Sequence, residues 1–178
     1  MSILFEYDKS ITDMLCESII EQFDEDSNDK PILNIPKNNK CWERIERMIY
    51  KELLMKLNET KMKLLDDINL NNELLLLFNK SLYTKHITVQ KLDIGEQTIQ
   101  SYYFTPNRYN VLTYVFFLNN ITEGGEIVLK SDTSIIIKPK MGKLVLFQED
   151  IKFPYTCVLP KTNCQYIITG QLCYDNIV

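Results

Sequence analysis

The first glycine of this 178-residue chain is Gly95, and the other four (Gly124, Gly125, Gly142 and Gly170) follow it. Glycine inside a helix costs about 1 kcal/mol relative to alanine, whereas strands need it at their tight turns. Its distribution predicts a helical first half and a strand-and-turn second half, the order expected of an α+β domain. One domain accounts for the length, with a core large enough to need no cross-links.

The apolar spacing agrees. Ile11, Met14, Leu15, Ile19 and Phe23 recur at helical intervals. The acidic stretch Asp24 to Asp29, within a run that starts at Glu21 and reads as solvated loop, ends that pattern, and Pro31 and Pro36 hold an extended connection. A second helix follows, with Trp42, Ile45, Ile49, Leu53 and Leu57 on one stripe and Glu43, Arg44, Glu46, Arg47 and Lys51 turned away. Trp42 belongs to that core stripe. Further helix is expected towards Leu82, with a break around Asn69 to Asn72.

From His86 the texture changes to short β-branched and aromatic runs between turn residues. Strands are expected near His86–Leu92, Thr98–Phe104, Val111–Asn119, Glu126–Lys130, Ser134–Lys138, Lys143–Phe147, Tyr155–Val158 and Gln165–Tyr174. Their regular spacing is that of a sandwich or barrel. The expected architecture is a single domain, 1–178, with residues 1–84 as mainly helical support. Residues 85–178 form an antiparallel double sheet closed like a jelly roll, which limits exposed strand edges.

Composition narrows the function. A formal charge of −4, without a basic cluster, argues against nucleic acid and against an anionic membrane surface. The longest aliphatic run, Leu74 to Leu77, is far too short to span a bilayer. No basic segment precedes the first apolar residues, so a secretory signal is not expected. Five cysteines without a C-x-x-C pair fit reduced thiols in the cytoplasm or nucleus. Cys157, Cys164 and Cys173, with no histidine nearby, read as buried thiols rather than a metal set. Asp66-Asp67 and Glu149-Asp150 are adjacent pairs, which do not share a helix face and carry no acid–base constellation. His86 reads as an ordinary strand-end residue.

Four phrases occur in order in the second half. They are Leu112-Thr113-Tyr114-Val115-Phe116-Phe117-Leu118-Asn119, Glu123-Gly124-Gly125-Glu126-Ile127, Pro139-Lys140-Met141-Gly142-Lys143-Leu144-Val145-Leu146-Phe147 and Gln165-Tyr166-Ile167-Ile168-Thr169-Gly170. Together they resemble the prolyl-hydroxylase branch of the 2-oxoglutarate, Fe(II)-dependent dioxygenases, and the resemblance implies a double-stranded β-helix behind supporting helices. The family holds iron with a His-x-Asp and a second His, and pairs the cosubstrate carboxylate with an Arg. Laid on this chain without gaps, the His-x-Asp falls on Ser101-Tyr102-Tyr103, the second His on Thr156 and the Arg on Gln165. Ser101, Tyr103 and Thr156 therefore stand as vestigial metal positions and Gln165 as a vestigial cosubstrate position.

His86 is the only histidine, so no register supplies two. The expectation is a protein with no catalytic residues, no metal and no cofactor, an inactive member of this fold that acts by binding another protein. Exposed aromatic and Arg residues favour interfaces, which places Tyr102, Arg108 and Tyr109 as candidate contacts. Ile32-Leu33-Asn34-Ile35-Pro36, followed by the helix Trp42 to Leu57, resembles poxvirus intracellular virulence proteins with an inactive domain of this kind. Richness in Asn, Lys and Ile fits an AT-rich genome. That resemblance implies a host protein as partner, a prolyl hydroxylase or an innate-immune factor, met in the host cytoplasm or nucleus. The alternatives are an enzyme with non-standard metal ligands and a barrel that binds a small ligand.

Overall fold

The computed structural model describes residues 4–36, 38–66, 82–95, 98–99, 110–129, 134–148 and 155–174. Two helices lie on a large antiparallel sheet, and a smaller antiparallel sheet faces it from the other side.

Helix α1 (Asp13–Asp26) starts at Thr12, whose side chain accepts from the Leu15 amide at 3.3 Å. Its stripe Leu15, Cys16, Ile19 and Phe23 is buried. Helix α2 (Lys40–Asp66) starts at Asn39, whose Oδ1 accepts from the amides of Cys41 (3.0 Å) and Trp42 (3.4 Å). The expected stripe from Trp42 to Leu57 is buried and continues through Thr60 and Leu64. Thr60 hides its hydroxyl by donating to the Lys56 carbonyl and meeting the Tyr7 hydroxyl, each at 2.7 Å. The helix beyond Leu57 is as expected, and Thr60 is the polar member of its buried stripe. Among the described residues, no helix is long and apolar enough to cross a membrane.

The major sheet has the order β1-β8-β5-β10-β3-β2, where β1 is Leu4–Tyr7, β2 Ile32–Asn34, β3 Leu82–Leu92, β5 Asn110–Phe117, β8 Leu144–Phe147 and β10 Gln165–Tyr174. The minor sheet has the order β4-β9-β6-β7, from Thr98–Ile99, Tyr155–Val158, Ile127–Leu129 and Ile135–Ile137. Every pairing is antiparallel.

The first half, expected as mainly helical support, also supplies strands, because β1 and β2 form the two edges of the major sheet. At four and three residues they are too short for a period of their own and are fixed by pairing with β8 and β3. The expected boundary at 84/85 falls inside β3. Of the expected strand Thr98–Phe104, only Thr98–Ile99 lies among the described residues, and the helical stretch expected towards Leu82 lies outside them up to residue 81.

Strand alternation divides the core in two. Outward from the major sheet, Tyr114, Phe116, Leu144, Leu146 and Ile168 pack against the helices. Inward, Val115, Phe117, Val145, Phe147 and Ile167 meet Ile127, Leu129, Tyr155 and Cys157 of the minor sheet.

Candidate functional site

The minor-sheet strands are two to four residues long where described, whereas β3 and β10 run for eleven and ten. Past the apolar inter-sheet core, the inner face of the major sheet continues with a different chemistry. Register carries the parity of Ile167 to Thr169 and Gln171 on β10, to Gln90 and Thr88 on β3, and to Thr113 on β5. Thr88, Gln90, Thr113 and Thr169 are all buried. Gln90 donates from Nε2 to Thr169 Oγ1 at 3.0 Å, and Thr88 donates to Asn34 Oδ1 at 3.0 Å.

Among the described residues, two buried amide atoms on this floor have no hydrogen-bond partner, Gln90 Oε1 and Gln171 Nε2. An unpaired buried polar atom costs about 1–3 kcal/mol, so an acceptor and a donor left open on one sheet face call for a polar guest. The side chains around them are hydroxyls and amides, which orient a guest by hydrogen bonds and carry no charge.

Gln165 opens β10 on the same inner face and is 1% exposed. Its Nε2 donates to the Gly125 carbonyl at 2.9 Å, tying β10 to the turn between β5 and β6. Gly125 holds φ +75°, and a Cβ there would lie 3.1–3.2 Å from the Gln165 amide, so both conformation and space require glycine. The side chain at the expected cosubstrate position is thus neutral and engaged by backbone.

The expected metal position Thr156 is placed differently from the sequence reading. Tyr155 and Cys157 are the members of β9 that enter the inter-sheet core, and Cys157 stands opposite Ile127. Thr156, opposite the half-buried Val128, alternates to the other face. Counting back from Gln165 without a gap crosses the turn between β9 and β10, where one residue of slip exchanges every inward and outward position. The Tyr155 ring stands edge-on to Phe147 at 5.1 Å. Burial pushes the Cys157 thiol up to about 11, so it is protonated at neutral pH and a poor metal ligand.

Ser101, Tyr102, Tyr103, Arg108 and Tyr109 lie outside the described residues, as does the side chain of His86. All five cysteines are free thiols; of the three expected to be buried, Cys157 and Cys173 are, whereas Cys164 is half-buried. Sequence reasoning missed the floor of Thr88, Gln90, Thr169 and Gln171. Its signal was present as polar residues alternating through two long strands, but alternation alone marks a solvated face equally well.

The residues described do not fit a two-histidine, one-carboxylate iron centre. Among them no three His, Cys, Asp or Glu side chains cluster, and the inner face offers amides, hydroxyls, a phenol and a neutral thiol.

No protein-family profile matches the chain, and no curated protein matches its sequence. Solved structures do match its fold. A viral collagen prolyl hydroxylase from Paramecium Bursaria Chlorella virus-1 aligns with a TM-score of 0.70 at 15% identity, over 97% of this chain and 90% of that one. The 2OG complex of the same enzyme aligns with a TM-score of 0.70 at 14% identity, over 97% and 96%. A prolyl hydroxylase from Trichoplax adhaerens, in complex with a hypoxia inducible factor oxygen degradation domain peptide fragment, gives 0.71 at 14% identity, over 96% and 83%. The mixed fold of helices and antiparallel sheets is that of the prolyl hydroxylases.

This likeness corrects the expectation of a catalytically inactive protein that works only by binding. The structures it matches are of enzymes, two of them with cosubstrate or peptide. A missing His/Asp/His set argues against one way of holding iron, which is a narrower statement than the absence of catalysis.

Proposed function

We propose that this chain is an enzyme built on the prolyl-hydroxylase fold, with its two-sheet core a double-stranded β-helix and its reaction centre above the Thr88/Gln90/Thr113/Thr169/Gln171 floor. The observation that carries the reading is the fold, which three prolyl hydroxylase structures match over 96–97% of this chain. The floor supports it. Gln171 Nε2 offers a donor and Gln90 Oε1 an acceptor, the two kinds of group that the carbonyls and amides of a polypeptide backbone meet. Below them the inter-sheet core excludes water from one side of the guest. Iron, where it takes part, has at most one histidine from this chain, so its donor set departs from the family's.

The substrate we propose is a host polypeptide, and the chain itself is proposed to be viral and related to the poxvirus group. Its Asn, Lys and Ile richness supports the second point. Free thiols support the host cytoplasm or nucleus as its compartment.

The test incubates purified protein with Fe(II), 2-oxoglutarate and proline-containing peptides. It reads succinate, peptide mass and metal content on one sample. The expected result is peptide-dependent turnover that Gln171→Leu lowers at least tenfold. Absence of both metal uptake and turnover overturns the reading.

A further inference from the structure

Helix α2 buries one stripe and turns another to solvent, and the solvent stripe has two chemistries. Lys40, Arg44, Arg47 and Lys51 succeed one another at intervals of four, three and four, so they share one face over the first three turns. All four are exposed, and among the described residues none is in an ion pair. Arg47 spends only its Nε, on the Glu43 carbonyl at 3.2 Å. Four cations without partners on one face stand out in a chain of net charge −4.

The same face then becomes apolar. Leu54, Met55, Met62 and Leu65 continue it at 37%, 48%, 59% and 50% exposure. The transition is hollowed. One depression of about 640 Å³ is lined by Lys40, Glu43, Arg44 and Met48, and a second of about 610 Å³ by Glu46, Tyr50, Leu54, Met55 and Tyr83, so cations outnumber carboxylates along both. Arg47 and Lys51 border both, so the two form one continuous groove along the helix. Scattered exposed apolar residues are ordinary, whereas flexible methionines and leucines aligned beside a groove mark a binding surface.

We propose that this groove docks a helical segment of a protein partner, acidic over one half and apolar over the other. Charge complementarity fixes the acidic half against Arg44, Arg47 and Lys51, and the apolar half lies on Leu54 and Met55. An amphipathic helix laid into a groove uses anchors at this spacing. From Lys40 to Leu65 the face is about 37 Å long at 1.5 Å per residue, room for a partner helix of some six or seven turns. The site stands apart from the polar floor, on the opposite side of the major sheet, and does not depend on what the floor does.

The probe is a fluorescein-labelled peptide of about 24 residues, with glutamates on one face of its first half and leucines at i, i+3, i+4 spacing in its second. Anisotropy is expected to show saturable binding that weakens with salt. Arg44→Glu with Arg47→Glu lowers affinity at least tenfold and flattens the salt dependence. Leu54→Asp with Met55→Asp lowers it comparably and leaves the salt dependence in place. These positions are exposed, so circular dichroism is expected to show all variants folded, and Gln171→Leu binds the peptide like the parent. Absence of saturable binding, equal binding of a scrambled peptide, or a variant pair that binds like the parent overturns the proposal. Sedimentation showing a dimer that the same substitutions dissociate also overturns it, by assigning the face to a second copy of the chain.

Discussion

The two faces of β10 differ in how completely they satisfy their polar groups. On the helix side, Tyr166 reaches both Asp24 carboxylate oxygens at 3.0 Å, and Phe23 meets its ring edge-on at 5.9 Å. Neighbouring polar tips on that side are also matched, Tyr114 with Thr84 at 2.8 Å and Trp42 Nε1 with Asp26 at 2.8 Å. On the other side, Gln165 is held by Gly125, while two positions further on than Thr169 the Gln171 donor has no hydrogen-bond partner among the described residues. The same strand, with the same backbone pairing, is a finished core on one side and an unfinished one on the other. Folding favours the first arrangement, and the second persists where a guest completes it.

Trp42→Ala tests the finished side and has the largest expected effect. Trp42 is fully buried, so the substitution leaves a cavity and removes one donor from Asp26 Oδ2, which Gln22 and Asn39 still reach. A loss of about 3–5 kcal/mol is expected by urea denaturation. A loss near zero would break the contrast.

Gln171→Leu tests the unfinished side, where the sign reverses. Removing an unpaired donor leaves stability unchanged or raises it by up to about 1 kcal/mol, although activity falls. A loss of 2 kcal/mol or more on the same denaturation scale would mean that the amide already has a structural partner.

The smallest effect is on pH dependence. The folded state raises the Cys157 thiol from 9.0 to about 11, so it favours the protonated form. That contribution is complete below pH 9 and is lost as pH climbs through about 11. Melting temperature is expected to fall across this window, and Cys157→Ala to make the fall shallower. An identical slope in both proteins would place Cys157 in contact with water.

Much of this division was legible in the sequence. The apolar spacing from Trp42 to Leu57, the long aromatic strand ending at Phe117 and the glycine turn at Gly124-Gly125 each specify their own local structure, and each appears where expected. What escaped is set by partners elsewhere in the chain. β1 and β2 exist because β8 and β3 offer them edges. Thr60 joins a buried stripe because Tyr7 meets it from a position 53 residues away. The inward set of β9 escaped for a simpler reason: parity is lost with one residue of slip, and no residue in the turn after Val158 announces its length. The polar floor shows only when register aligns three strands.

The position of β1 also sets a timetable. Leu4 pairs with Phe147 and Tyr7 with Leu144, so during synthesis this strand waits for partners made some 140 residues later. The order of the major sheet interleaves early and late segments throughout, with β10 at its centre and the two earliest strands at its rims. Loop-closure entropy must be met before any of these distant pairings returns energy, which places the chain among slow-folding topologies. Until β10 emerges, the sheet that α1 and α2 cover is in two separate pieces, β1-β8-β5 and β3-β2, and the apolar stripes of the helices are what a chaperone would meet first.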